Sequence, residues 1–269
     1  MRKYLLLAIL ITLSGILVYL ILDKPTSHTQ ITFINEPEPS RQSEIITEQI
    51  KPIVEKPIIK EPIVTPEKSE EIKKSETIIN HSVPFTSQAP TGNWSDQRQQ
   101  DGCEEASAIM AMAWVQGKSL SSQSALAQIV AIADYEQSTY REHRDVSLSD
   151  VRDWIFKEYF DHDKVEIRMN IKSADIISEL NKGHIILLPM DGQKLGNPYF
   201  TAPGPERHMI VVRGYDPVTK EFITNDPGTR RGEGFRYSVN TIMNAILVYP
   251  TGYHLPADES LSGMLVVKK

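Results

Sequence analysis

The sequence has a single cysteine, Cys103, among its 269 residues. That count excludes an intrachain disulfide, so the fold must rest on its apolar core. Positive charge is also in short supply: 29 Lys and Arg stand against 35 Asp and Glu, for a net charge of −6. No basic stripe is visible, which argues against a nucleic-acid partner. Glycine is absent from residues 23–80, and Phe33 is the only aromatic residue there. Such a stretch cannot bury enough apolar surface to offset the entropy of ordering it.

These absences divide the chain. Residues 4–22, YLLLAILITLSGILVYLIL, carry no charge and follow Met1-Arg2-Lys3. A helix of this length approaches the ~30 Å hydrocarbon core. The run exceeds a signal-peptide core of roughly 7–15 residues, and no small-residue cleavage site follows it. Residues 1–22 therefore read as a retained transmembrane anchor rather than a cleaved signal peptide. Arg2 and Lys3 favour a cytoplasmic N-terminus and an extracytoplasmic body. Residues 23–80 read as a stalk, with Pro at 37, 39, 52, 57, 62 and 66 and the loose repeat KPIVEKPIIKEPIV. Charged, Pro-rich spacers extend rather than collapse. A second possibility is that the Ile/Val pairs bind a partner as added strands. Residues 81–269 form one domain of ordinary size.

Within that domain helices come first. HSVPFTSQ (81–88) alternates like a short strand. Ala106, Ile109, Met110 and Ala113 share one helical face behind Cys103, with Asp101 as the expected N-cap and Gly117 as the stop. Further helices are predicted over about 122–137, 148–160 and from Ser173 to near Gly183. Strands are predicted at 163–170, 184–190, 207–215, 220–226, 234–239 and 245–250. The order implies an α+β fold with helices on an antiparallel sheet.

Cys103 opens its helix, where backbone N–H groups and the helix dipole favour a thiolate. Its other reading is a small buried apolar residue. A reactive thiol needs a base, and the base needs an orienting group. His143 and His162 sit in charged runs and read as solvated surface. His184 and His208 each begin an apolar strand. A hairpin turning at residues 216–219 places His208 opposite positions 226–227, so Asp226 comes within its reach. The ordinary reading of Asp226-Pro227-Gly228 is a turn. Glu104 and Glu105 lie in the first helical turn, suited to the dipole; pairing of Glu105 with a substrate amine or an arginine is the other option. The closely spaced ligands of a zinc site are missing around Cys103, His208 and Asp226, so neither metal nor cofactor is expected.

VPFTSQAP, GCEEASAIMA, RHMIVVRGYD and FITNDPG, in that order, resemble the C39-like peptidases, a bacterial branch of the papain-like cysteine peptidases. The resemblance spans about residues 83–248. It implies a papain-like fold, a peptide or protein substrate, and a site with Cys103 as nucleophile, His208 as base and Asp226 as its orienter. It also implies a glutamine that helps bind the oxyanion. The family motif selects Gln88, whereas papain-like spacing to the cysteine selects Gln97. Two rival functions share these residues: a cell-wall amidase or endopeptidase, and a non-catalytic domain that binds peptide.

Overall fold

The computed structural model describes residues 77–269. The expected anchor at 4–22 and all but the last four residues of the expected stalk lie outside them. Among the described residues no helix is long and apolar enough to cross a membrane.

The architecture is an antiparallel sheet between two layers of helix. Strands β1 (Ile79–Asn80), β2 (Val165–Met169), β3 (Ile185–Met190), β4 (His208–Asp216), β5 (Glu221–Asn225), β6 (Glu233–Ser238) and β7 (Gly263–Val267) form it. Their order is β2-β7-β3-β4-β5-β6, with β1 added on β4. Adjacent residues on the central strands enter opposite cores. Ile185, Leu187, Met209, Val211, Leu265 and Val267 face the first, with Ile109, Met110, Ile129 and Phe156. Ile186, Leu188, Ile210, Val212, Met264 and Val266 face the second, with Ile176, Leu180 and Ile242. A sheet covered on both faces has continuous apolar strands, and IILLPM and HMIVV are such runs.

The helices are α1 (Gln97–Gln100), α2 (Cys103–Gln116), α3 (Ser122–Tyr140), α4 (Leu148–Asp150), α5 (Ser173–Asn181), α6 (Gly192–Leu195) and α7 (Val239–Ala245). Residues 148–160, expected as one helix, pass from α4 into a π-helix over Val151–Tyr159. Its buried Val151 and Phe156, five residues apart, both reach the first core. α2 is buried from Cys103 to Trp114. Its Ala- and Met-rich sequence is apolar nearly all round, which is the pattern of an internal helix.

Several local expectations change. Residues 81–88 form no strand, and the pairing falls earlier, at Ile79↔Tyr215 and Asn80↔Gly214. Gly214 has no alternative there, since a Cβ would sit 2.2 Å from the Ile79 carbonyl oxygen. Residues 245–250 make one bridge, Met190↔Ile246, instead of a strand. β7 was not expected; its five apolar residues are too few to show a period. It nonetheless joins β2 to β3 in the middle of the sheet. Asp101 does not cap α2. It closes α1 and accepts from Gln97 Nε2, while Gly102 takes the N-cap position without a side-chain bond. A Cβ on Gly102 would meet the Arg98 carbonyl oxygen at 2.4 Å. Gly117 ends α2 with φ 64°, the left-handed geometry of a helix stop.

Candidate active site

His208 is the first residue of β4, and Asp226 is the first residue beyond β5. The β4–β5 ladder shifts register between Val212 and Gly214 and ends at Val211↔Asn225. His208 is thus not directly opposite Asp226. The turn after β5 supplies the reach instead: Asp226 N–H donates to Gly232 O, bending the chain back. His208 Nε2 then lies 2.8 Å from Asp226 Oδ1, with both side chains buried.

Three further donors hold the carboxylate. Gly228 N–H reaches Oδ1 at 3.0 Å, while Asn197 Nδ2 at 3.0 Å and Tyr237 OH at 2.5 Å reach Oδ2. Burial acts to raise the Asp226 carboxyl, but attraction to the His208 ring and the hydrogen bonds from His208, Tyr237 and Asn197 outweigh it and hold it below the usual range. With Nε2 so bound, Nδ1 is the imidazole nitrogen left to face a reacting group. Phe200 packs edge-on against the ring at 5.4 Å, and Gly228 lies against it, where a Cβ would be 3.0 Å from Cε1.

Cys103 is brought to this corner by cross-braces between α2 and β4. Ser107 Oγ donates to Met209 O at 3.2 Å. Tyr249 OH lies 2.7 Å from Glu104 Oε1 and 3.1 Å from His208 O. The thiol itself donates to Glu104 Oε2 at 3.0 Å rather than to His208. Only 4% of Cys103 and 1% of His208 are exposed.

A family match decides what this corner belongs to. The family described as Peptidase_C39 like family matches residues 80–251. The chain belongs to this C39-like family. A solved Bacillus anthracis structure classed as a C39-like peptidase is 13% identical, covers 72% of this chain and 98% of its own, and has a TM-score of 0.40. No curated protein matches the sequence.

The electrostatics of this C39-like site differ from the expectation for a helix-start cysteine. Burial pushes the Cys103 thiol well up, and Glu104, Glu105 and Asp145 push the same way. All of these oppose the pull of the helix terminus towards a thiolate. Glu104 and Glu105 are not solvated first-turn acids: both are fully buried. Burial raises the Glu104 carboxyl to about 7 against hydrogen bonds from Cys103 and Tyr249. Glu105 meets Glu136 of α3, and neither carboxylate has a donor among the described residues. Burial drives both well above the ordinary carboxylate range; Glu136 and Glu104 add to it at Glu105, and Glu104 and Asp150 add to it at Glu136.

The two glutamine candidates differ sharply. Gln88 is buried beside the site; its backbone N–H donates to Pro227 O, and its Nε2 donates to Gln99 O at 3.1 Å and Gln100 O at 2.8 Å. Gln97 is exposed and donates to Asp101 Oδ2. His184 and His162 have structural partners. His184 Nδ1 bonds Glu179 Oε2 at 2.7 Å, in a network with Arg168 and Lys182. His143 and His162, expected on the surface, are buried, and His162 bonds Lys268 O. Among the described residues no cluster of three His, Cys, Asp or Glu side chains could hold a metal ion. Asn197, Tyr237, Tyr249 and Glu136 were not legible as site residues, because each arrives from a distant element. Tyr237 has a weak signal, standing opposite Phe222 one strand away from Asp226.

Proposed function

We propose that this chain is a cysteine peptidase with a papain-like site, in which Cys103 is the nucleophile, His208 the general base and Asp226 its orienter. The observation that carries the reading is the buried His208–Asp226 bond of 2.8 Å, which leaves Nδ1 for the thiol. The thiol swings from Glu104 to Nδ1 and gives up its proton as sulfur attacks the substrate carbonyl. Asp226 supports the imidazolium that forms. Collapse of the tetrahedral intermediate breaks the C–N bond, the imidazolium protonates the leaving amine, and water then releases the thioacyl enzyme. The N–H groups of the first helical turn lack intrahelical partners and suit the oxyanion. Gln88, beside them, is the side-chain donor in this reading, once its amide exchanges the Gln99 and Gln100 carbonyls for the oxyanion.

Cys103→Ala should abolish peptide turnover while keeping the circular-dichroism spectrum, His208→Ala should be nearly as severe, and Asp226→Asn milder, because it keeps a hydrogen-bond partner and loses the charge. Full activity in Cys103→Ala would discard the mechanism.

The same proposal places the body outside the cytoplasm, held by residues 4–22 and reached through the Pro-rich segment. Protease added to intact spheroplasts should then release the body by cutting before residue 79. A body that resists until the membrane is opened reverses the orientation.

A further inference from the structure

We propose that the cleft flanking His208 selects peptides bearing a carboxylate close to the scissile bond, held by Arg230 and Arg231. This rests on the peptidase reading above and adds the substrate's charge to it. The cleft encloses about 950 Å³ and meets the site at Gln88, Phe200 and Gly228. Phe200 and Gly228 are packed on the imidazole, so a molecule lying in the cleft touches the residues that cover His208.

The charge in the cleft is of one sign. Arg230 and Arg231 are its only charged lining residues, and no acid lines it, although the chain carries a net charge of −6. Arg98, Arg144, Arg152, Arg168 and Arg236 each meet a carboxylate. Among the described residues, the guanidinium groups of Arg230 and Arg231 have neither an ion pair nor a hydrogen bond. Arg231 instead places its guanidinium carbon over the Tyr199 ring, 4.8 Å from the centroid. A cation–π contact of this kind holds the guanidinium in place and leaves N–H groups free to bind a carboxylate.

The chain path puts these cations there. Asp226 grips His208, Gly228 passes beneath the imidazole, and the same turn delivers residues 230 and 231 to the cleft wall. The cleft is also lined by Trp94 and Tyr199, exposed by 39% and 45%. Exposed aromatic rings in a concave surface suit the aliphatic part of a side chain or a peptide plane. A carboxylate on a short stem suits both the rings and the cations. An acidic side chain and a peptide's terminal carboxylate share that chemistry, and the test separates them.

Binding is measured on the full chain carrying Cys103→Ala, so that turnover does not enter. The probes are fluorescent short peptides that differ only in Glu, Gln or Lys at one position, each with a free or an amidated C-terminus. The Glu peptides should bind about tenfold tighter than their Gln counterparts, a difference of about 1.4 kcal/mol, and the gap should close as salt is raised. If the terminal carboxylate is the group held, the free-acid peptides should show the gap and the Glu peptides should not. Arg230→Glu with Arg231→Glu should shift the preference to Lys, and the paired Gln substitutions should flatten it. Absence of any charge preference, or a preference unchanged by those substitutions, overturns the proposal. Cys103-dependent turnover without charge preference would leave the peptidase reading standing alone, and charge-selective binding without turnover would do the reverse.

Discussion

Glu105 and Glu136 place two carboxyl groups in the first core with no donor between them. Taking both as ionised would bury two like charges, with Glu104 and Asp150 adding to the repulsion. A proton retained by the pair removes most of that penalty, because an acid can donate to its neighbour. The consequence for stability has a definite sign. Both folded-state pKa values are raised, so the folded chain keeps a proton that the unfolded chain releases above about 4.5. Stability is therefore lost as pH rises from that value towards the folded-state one. While the folded chain holds a proton that the unfolded chain has released, stability falls by about 1.4 kcal/mol per pH unit for each such proton, against the roughly 5–15 kcal/mol that holds a domain together. Glu136→Gln keeps the shape and gives Glu105 a permanent N–H donor. Denaturant unfolding followed by tryptophan fluorescence at several pH values, with Trp114 on α2 as the nearby reporter, should find the variant close to the parent near pH 5. As pH rises towards neutrality the variant should become the more stable of the two, the gap widening by up to about 1.4 kcal/mol per pH unit. A stability difference that stays flat with pH, or a variant weaker throughout, would refute the retained proton.

Two further outcomes follow from the site. Glu104→Gln removes a negative charge from beside the sulfur, so the thiol pKa should fall; iodoacetamide labelling of Cys103 should quicken at neutral pH, about tenfold for each unit of fall, and unchanged labelling would deny Glu104 its hold on the thiol. Gln88→Ala should lower kcat by about 10²–10³ and Gln97→Ala should leave it nearly unchanged, with the reverse order moving the oxyanion donor to Gln97.

The sequence carried the fold wherever an apolar run and its flanking turns agreed. The helix behind Cys103, its stop at Gly117, and the strands beginning near Ile185 and His208 were legible for that reason. His208 and Asp226 are hydrogen-bonded, though not through the simple register the sequence suggested. The shift at Arg213 and the backward bend at Gly232 do the work that direct opposition was expected to do. Glu104 and Glu105 stand in the first helical turn as expected, but their burial was not legible, because a first-turn acid is ordinarily solvated and only the packing of α2 shows otherwise. Asn197, Tyr237 and Tyr249 reach the site from three separate loops or strands, a convergence that linear spacing does not encode.

The pairing of β1 with β4 has a mechanical consequence. The first ordered strand of the body is fastened by two residue pairs to Gly214 and Tyr215, on the strand whose opening residue is His208. Tension drawn along the polypeptide upstream of Ile79 therefore enters the body through that strand, six positions from the imidazole. Gly214 admits the Ile79 carbonyl so closely that a methyl group there would unfasten the joint. The load path and the base of the proposed reaction share one length of backbone.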